Sequence, residues 1–557
     1  MSHLGVRISL VACVVAALTG WGAVPPGQAA SRPASPASVA QAVTGEIPSG
    51  ISGKCLDNSD GAATDDNKVD IWGCNGGSGS QLWTAEADGT IRINGMCLDV
   101  KANGTANGTL ADLYTCNGGA NQQWQVSGDT LVGEQSGKCL DDPHSSAVNG
   151  TQLDIWTCNG GSNQVWNIAA SPAATQAATA AAALQVMYNN SSQPGLFCTG
   201  NLTGNCWWQS ANELDALIDY SEETGSAAYL GDLNTTYTDA ATDESSTPFI
   251  DTYFDDDAWW GLTWLNAYQA TGTPKYLTLA ENILTYIQQN GWDNTGACGG
   301  GVWQHTGSGA TKDAIANELY LTLAARLYVD TGKTSAQYLT DAQNEWAWFQ
   351  NAGNADGVTG TPTSMIETVP GGALIYPSVS ASCTVNTSKV FYTLREGQFL
   401  GALTDLYQAT GNQAYLTQAE AVANCAISEG CGGDSSYADP PILDPGGILT
   451  EPCTGSPYGC TVTGDPDYLQ YKGVFMRNLY CLDQAASTTA YGAFITANAG
   501  SVYASDQDPE TTDPAAQDLN QFGFSWDKWS SAGIGWASQG AALDALNANA
   551  GGSTAMC

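Results

Sequence analysis

The hydrophobic pattern of this chain changes character near residue 170. Upstream, apolar residues come in short period-2 patches such as "LADLY" (110–114) and "QLDIW" (152–156), the alternation of strands that bury one face. From 184 onward they group into long helical segments, and strand-like runs are scarce. A phrase recurs at the ends of these segments: "YSEETG" from 220, "YQATG" from 268, "YVDTG" from 328 and "YQATG" from 407. Each is followed within a few positions by another Tyr-Leu, in "AAYL", "PKYL", "AQYL" and "QAYL". Glycine just past a helix end is the usual left-handed stop. Helix, short glycine loop and helix again make an αα-hairpin. Four are legible, and helices near 467–485 and 536–548 extend the series. The pattern predicts a helical toroid of the (α/α)6 type over 184–557, with an irregular α-solenoid as the alternative.

Two stretches read as joints. Residues 31–46, "SRPASPASVAQAVTGE", are Ser/Ala/Pro-rich. Residues 169–183, "AASPAATQAATAAAA", contain Pro172, which ends the sheet pattern, and an alanine run able to start a helix. Between them, over 47–168, lies an internal repeat. Cys55, Cys97 and Cys139, in "GKCLD", "GMCLD" and "GKCLD", are spaced 42 residues apart. Each is followed 19 residues later by the cysteine of a "CNGG" (Cys74, Cys116, Cys158). Each repeat closes on Gln-x-Trp: Gln81–Trp83, Gln122–Trp124 and Gln164–Trp166. Three such units predict a threefold all-β domain with one disulfide per repeat, 55–74, 97–116 and 139–158.

Composition narrows the setting. Residues 1–30 read as a secretory signal: His3 and Arg7, an apolar run from Ile8 to Leu18, then small residues to Ala29–Ala30. That run is shorter than the ~20 apolar residues of a membrane span. Of 17 cysteines, Cys13 lies in the signal, and the sixteen others fit an oxidising, extracellular compartment. With 55 acidic against 16 basic residues and a net charge of −39, a nucleic-acid or anionic-membrane partner is not expected. A neutral substrate suits the chain, although acidity by itself also serves solubility. No Cys/His spacing suggests zinc, and His144 and His305 have no partners in sequence for a Ser/His triad. No cofactor and no metal is expected, and the protein is expected to be a monomer.

The triple Gln-x-Trp repeat resembles the ricin-B-type β-trefoil lectins, carbohydrate-binding module family 13. The resemblance implies one sugar site per repeat: Asp57, Trp72, Asn75 and Gln81 in the first; Asp99, Tyr114, Asn117, Asn121 and Gln122 in the second; Asp141, Trp156, Asn159, Asn163 and Gln164 in the third. A sugar offers an apolar face to an aromatic ring and hydroxyls to a carboxylate and an amide. The Trp of each Gln-x-Trp reads as core. Ser80 stands where the other repeats have Asn121 and Asn163, which implies a weaker first site.

"YFDDDAWWGL" (253–262) sets three carboxylates directly before two tryptophans. With a helix starting near Asp257, that residue serves as N-cap and Asp255 and Asp256 lie at a helix N-terminus. Trp260, Trp264 and Tyr268 fall on one face and read as core. Two crowded carboxyls cannot both ionise cheaply, so an acid and an anion coexist, the pair that glycoside cleavage needs. A solvated cap and a calcium site are the competing readings. This region resembles the glycoside hydrolase family 76 enzymes, the endo-α-1,6-mannanases, in "WWQSA" (207), "YFDDDAWWGL", "CGGGVWQ" (298), "KDAIANELYLTLAARLY" (312) and "YKGVFMRNL" (471). The resemblance implies an (α/α)6 barrel, Asp255 as nucleophile and Asp256 as general acid/base. It makes Trp207, Trp208, Trp259, Trp303 and Asn317 groove residues or their supports. It departs at Thr393-Leu394-Arg395-Glu396-Gly397, where the family has Thr-Tyr-Asn-Gln-Gly; Arg395 and Glu396 then form a buried salt bridge or reshape a subsite. The remaining cysteines allow loop staples such as 198–206, 425–431 and 453–460. The expectation is a secreted two-domain enzyme, a β-trefoil followed by an (α/α)6 toroid, that cuts α-mannan. The alternatives are a transglycosylase using the same aspartates, less expected because the chain shows no C-terminal anchor signal, and a non-catalytic glycan-binding adhesin.

Overall fold

The computed structural model describes residues 43–168 except 76–78, 87 and 128–129. It also describes 172–557 except 199–205, 225, 242–245, 296, 308–310, 354–362, 389–391, 429–430, 432–442, 444–445, 452–465, 487–489, 509–520, 530–534 and 551–556. The expected signal, most of the first joint, and Cys453 and Cys460 lie outside the described residues.

Each sequence repeat folds as one antiparallel hairpin: 54–58 with 67–73, 96–100 with 109–115, and 138–141 with 154–156. The hairpins close on one another through 67–68 with 112–113, 109–110 with 154–155, and 151–152 with 70–71. Alternation sends Leu56, Ile71, Leu98, Leu113, Leu140 and Ile155 into one shared core with Trp83, Trp124 and Trp166. Those three indoles each donate to a backbone carbonyl, of Leu56, Leu98 and Leu140, at 2.9–3.0 Å. A buried indole N–H thereby finds its partner. Disulfides join 55–74, 97–116 and 139–158. The domain begins earlier than 47, because Val43–Gly45 is a strand paired with Trp83–Ala85. The Ser/Ala/Pro composition around it hides three residues of edge strand.

The rest is helical: α1 (Pro172–Asn189), α2 (Trp207–Thr224), α3 (Asp232–Asp239), α4 (Phe254–Thr271), α5 (Pro274–Asn290), α6 (Ala314–Asp330), α7 (Ala336–Asn351), α8 (Thr393–Thr410), α9 (Gln413–Ala426), α10 (Tyr471–Ala485), α11 (Gly492–Ser505) and α12 (Trp536–Ala550). Helices α2, α4, α6, α8, α10 and α12 pack in a ring, α12 closing on α2. Closure makes this a toroid and removes the solenoid alternative. Helices α5, α7, α9 and α11 back the ring, and α1 backs α12. The short α3 belongs to the same outer layer, with Thr236 bonded to Tyr188 of α1 at 2.9 Å and Tyr237 edge-on to Trp264 at 5.5 Å. The expected joint at 169–183 is therefore mostly helix. Pro172 opens α1, where a missing N–H costs nothing, and the alanines carry it on. The recurring Tyr…Gly phrase ends ring helices: Gly272 (φ 64°) and Gly411 (φ 72°) stop α4 and α8 and donate to the carbonyls of Tyr268 and Tyr407. Ring helices thus alternate with outer ones running back, and their N-termini share one end of the toroid.

Four further disulfides lie among the described residues: 198–206, 298–383, 425–431 and 481–557. No helix among them is long and apolar enough to cross a membrane.

Candidate active site and sugar sites

Helix α4 starts at Phe254, not near Asp257. Residues 252–254 pair as a short bridge with 304–306: Phe254 N–H donates to Gln304 O and Thr306 N–H to Thr252 O, both at 2.9 Å. Asp257 is consequently no cap. It is fully buried in the first turn, and its Oδ1 accepts the Asp251 N–H at 2.8 Å, tying down the strand that leads into the helix. Burial pushes its carboxyl up to about 9. Asp255 and Asp256 remain partly accessible at the end of the toroid where ring-helix N-termini meet.

Both have carboxyls raised well above the usual range. For Asp255, burial leads and the facing Asp313 adds to it, while the backbone N–H groups of Asp255 and Asp256 favour its charged form. For Asp256, burial leads again, followed by the charges of Asp255 and Asp251. Asp251 is hydrogen-bonded to Asp256 and is itself raised by burial. Asp313, N-cap of α6 through Ala316 N–H at 3.1 Å, is pushed up to about 6 by burial. Four carboxyls thus crowd one spot, and only some can be ionised at neutral pH. Asp255 and Asp256 both lie in the first turn of α4, where the helix dipole favours negative charge, and the backbone N–H groups at Asp255 work against the effect of its burial.

The other expected groove residues divide by exposure. Trp207 is 1% exposed, packed on Phe249 and Trp260. Trp259 is buried as well, and Trp208 stacks on it at 6.0 Å with one side open. Asn317 is fully buried and spent on backbone: it accepts from Val302 N–H and donates to the carbonyls of Val302 and Asp313. Trp207, Trp259 and Asn317 are buried as supports, one of the two roles that the resemblance implies for them. Trp303 is partly exposed, with the Lys312 ammonium 4.6 Å from its ring. Arg395 and Glu396 are both buried but form no direct ion pair; Arg395 donates to Ile375 O at 3.0 Å and Glu396 accepts from Ile375 N–H at 3.4 Å. They hold the backbone of one residue, Ile375, by its carbonyl and its N–H. The Arg395 charge lowers Asp313, Glu318 and Glu396, although burial still lifts Glu396 to about 7.

Sequence reasoning missed Asp251, Asp313, Glu318 and the cluster of Tyr392, Tyr468 and Tyr471, whose rings lie 5.3–6.0 Å apart at the start of α8 and α10. Asp313 had a signal, an aspartate one residue before a helix; Asp251 and Glu318 had none.

In the trefoil, three carboxylates are held alike. Gln81, Gln122 and Gln164 donate to Asp57, Asp99 and Asp141 at 2.7–2.9 Å, and accept from the N–H of Asn75, Asn117 and Asn159. These glutamines are fully buried and orient the aspartates, which are themselves buried. Beside each aspartate stands an open ring: Trp72 is 47% exposed, Tyr114 38% and Trp156 44%. Asn121 and Asn163 add a second bond to Asp99 and Asp141; Ser80 supplies it to Asp57 at 2.8 Å. Burial lifts Asp99 to about 6.

A closed ring of helices with clustered carboxyls at one end, joined to a domain whose three repeats each carry an open aromatic ring and an amide-held aspartate, fits a carbohydrate-active protein. The chain belongs to glycosyl hydrolase family 76, whose sequence model matches residues 173–555, and residues 43–166 match the ricin-type β-trefoil lectin domain. No match was found among curated proteins. The fold of the helical region is shared with an inactive variant of an α-1,6-mannanase from Salegentibacter sp. HEL1_6, two adjacent aspartates changed to asparagine, in complex with α-1,6-mannotriose. That structure has 21% identity and a TM-score of 0.54, over 68% of this chain and 99% of that one. Dfg5 from Chaetomium thermophilum, in complex with glucosamine, has 18% identity and a TM-score of 0.51, over 69% and 90%. A family 76 mannosidase from Bacteroides thetaiotaomicron has 16% identity and a TM-score of 0.50, over 68% and 98%.

Proposed function

We propose that this protein is a secreted, endo-acting glycoside hydrolase that cleaves α-1,6-mannosidic bonds with retention, its trefoil holding the same or a neighbouring glycan. The observation that carries this reading is the split environment of adjacent carboxyls, Asp255 favoured as the anion by helix-terminal N–H groups and Asp256 held as the acid beside Asp251. Asp255 attacks the anomeric carbon as Asp256 gives its proton to the leaving oxygen. Water, deprotonated by Asp256, then attacks the glycosyl ester and frees Asp255. The α-1,6-mannotriose held by the inactive Salegentibacter variant supports the choice of substrate, and its two altered adjacent aspartates support the choice of catalysts. Tethering a lectin to the enzyme raises the local concentration of chain ends and segments at the cleft.

The test is product analysis on linear α-1,6-mannan beside Asp255→Asn, with the anomer of the first product read by NMR. Short α-configured mannooligosaccharides from the wild type alone are expected. Products from both proteins remove Asp255 as nucleophile, a β-configured first product removes retention, and no products from either protein remove the mannanase reading.

A further inference from the structure

Outside the ring, between outer helices α5 and α7, lies a cavity of about 440 Å³ to which the reading above assigns nothing. Its size is within the usual range for small-molecule sites, roughly 300–1,000 Å³. Its lining comes from the outer face of the barrel wall, whereas Asp255, Asp256 and Asp313 sit at ring-helix N-termini. Trp292 and Tyr320 form the apolar part, their rings 5.8 Å apart. Asp341 is 6% exposed in the wall, and Gln288 and Gln337 donate to it at 2.7–3.2 Å. Asn344 stands exposed at the rim.

The parts are fixed before any ligand arrives. A Cβ on Gly300 (φ 116°) would come 2.7 Å from the Trp292 ring, so only glycine lets this backbone back the indole. The Trp292 backbone is further bridged to Val302. Two amides clamp Asp341, which leaves its remaining lone pairs for donors from outside. A ring platform, one oriented carboxylate and side-chain amides match a molecule with an apolar face edged by hydroxyls. Among the described residues the lining has no basic group, which speaks against phosphate or sulfate. Asp341 is the single carboxylate among the described lining residues, whereas a divalent cation calls for several oxygen ligands, which speaks against a metal ion.

We propose that this cavity is a second glycan-binding site on the catalytic domain, taking a neutral sugar unit of a polysaccharide chain. Trp292 stacks on the sugar, and Asp341 with the amides receives its hydroxyls. The site is independent of which linkage the cleft cuts.

The test uses the full chain with turnover and lectin stacking removed (Asp255→Asn with Trp72→Ala, Tyr114→Ala and Trp156→Ala). Retention is measured by native affinity electrophoresis in linear α-1,6-mannan, with β-1,3-glucan and xylan in parallel gels. Adding Asn344→Trp, which fills the rim from an exposed position, or Asp341→Ala is expected to weaken retention in at least one gel roughly fivefold or more. In the otherwise wild-type chain, Asn344→Trp is expected to leave turnover of a short mannooligosaccharide unchanged, since the cleft is elsewhere. Equal retention with and without Asn344→Trp, at unchanged thermal midpoint, overturns the proposal. So does a parent that no polysaccharide retards. Loss of turnover with Asn344→Trp overturns the separateness of the site, while failure of mannan cleavage by the wild type bears only on the reading of the cleft.

Discussion

The carboxyls of Asp251 and Asp256, five residues apart in the chain, meet beside the start of α4, where burial raises both and their interaction favours the proton on Asp256. The contact is possible because Asp257, turned inward, holds the Asp251 N–H and fixes the approach to the helix. Asp251 also accepts the N–H of Tyr253, which keeps its carboxyl from swinging away.

Asp251→Asn is expected to move the acid. An amide keeps the bond to Tyr253 and donates to Asp256, which stabilises the Asp256 anion where the native carboxyl stabilises its acid. Asp256 would then lose its proton at lower pH. The alkaline limb of the kcat/KM profile should shift to lower pH by about one unit, with roughly tenfold less activity at neutral pH. A profile that keeps its alkaline limb would show that Asp251 does not set the proton on Asp256.

The two leading tryptophans of α2 should separate binding from folding. Trp208 offers an open side over Trp259, whereas Trp207 fills the core between Phe249 and Trp260. Trp208→Ala should raise KM several-fold on mannan with a small change in Tm. Trp207→Ala leaves a cavity of an indole's size and should cost about 3–5 kcal/mol of stability. Thermal denaturation and steady-state kinetics of the two variants decide it; a reversed pattern would exchange their roles.

The architecture was largely written in the pattern of the chain. The threefold repeat showed its cysteines and Gln-x-Trp spacing because each unit solves the same packing problem, and the Tyr…Gly phrase marked ring helices because their ends need the same stop. The site was legible only in part. Exposure cannot be read from a tryptophan pair, so Trp207 and Trp208 looked alike until Phe249, distant in sequence, covered one of them. Asn317 resembled a groove amide, but the "GGG" run brings Val302 against it and uses up its bonds. Glu318 has no local mark, because its meaning comes from Arg395 and Glu396 on another helix, and Asp251 gains its meaning only from the turn that brings it back to Asp256.

The first trefoil repeat offers a gain-of-function test. Asn121 and Asn163 each reach an aspartate and also a backbone carbonyl, of Val100 and Asp142. Ser80 reaches Asp57, and its shorter side chain gives the one bond to that carboxylate. Ser80→Asn should add the missing brace, worth about 0.5–1.5 kcal/mol. In a chain carrying Tyr114→Ala and Trp156→Ala, so that only the first repeat binds, sugar affinity should rise roughly threefold or more. Equal or lower affinity would mean that Ser80 already holds Asp57 as well as an amide does.

Stability should fall as pH rises from about 5 to about 8. Burial raises Asp313 to about 6, Glu396, Asp405 and Asp544 to about 7, and Glu451 to about 8. In the unfolded chain these carboxyls titrate near 4, so between the two values the folded state binds more protons than the unfolded one. Their favourable contribution is complete below the unfolded pKa and is lost as pH climbs through the folded values. Differential scanning calorimetry at fixed ionic strength should therefore show Tm dropping by several degrees across that range. The net charge of −39 pushes in the same direction through self-repulsion, but high salt screens surface charge and leaves buried groups largely untouched. The decline should persist in 1 M salt, where the Debye length is about 3 Å. Glu396→Gln removes one titrating group while keeping an acceptor for Ile375 N–H, and should flatten the slope. A Tm that rises toward pH 8, or a slope abolished by salt, would show that buried carboxyls do not govern the pH dependence.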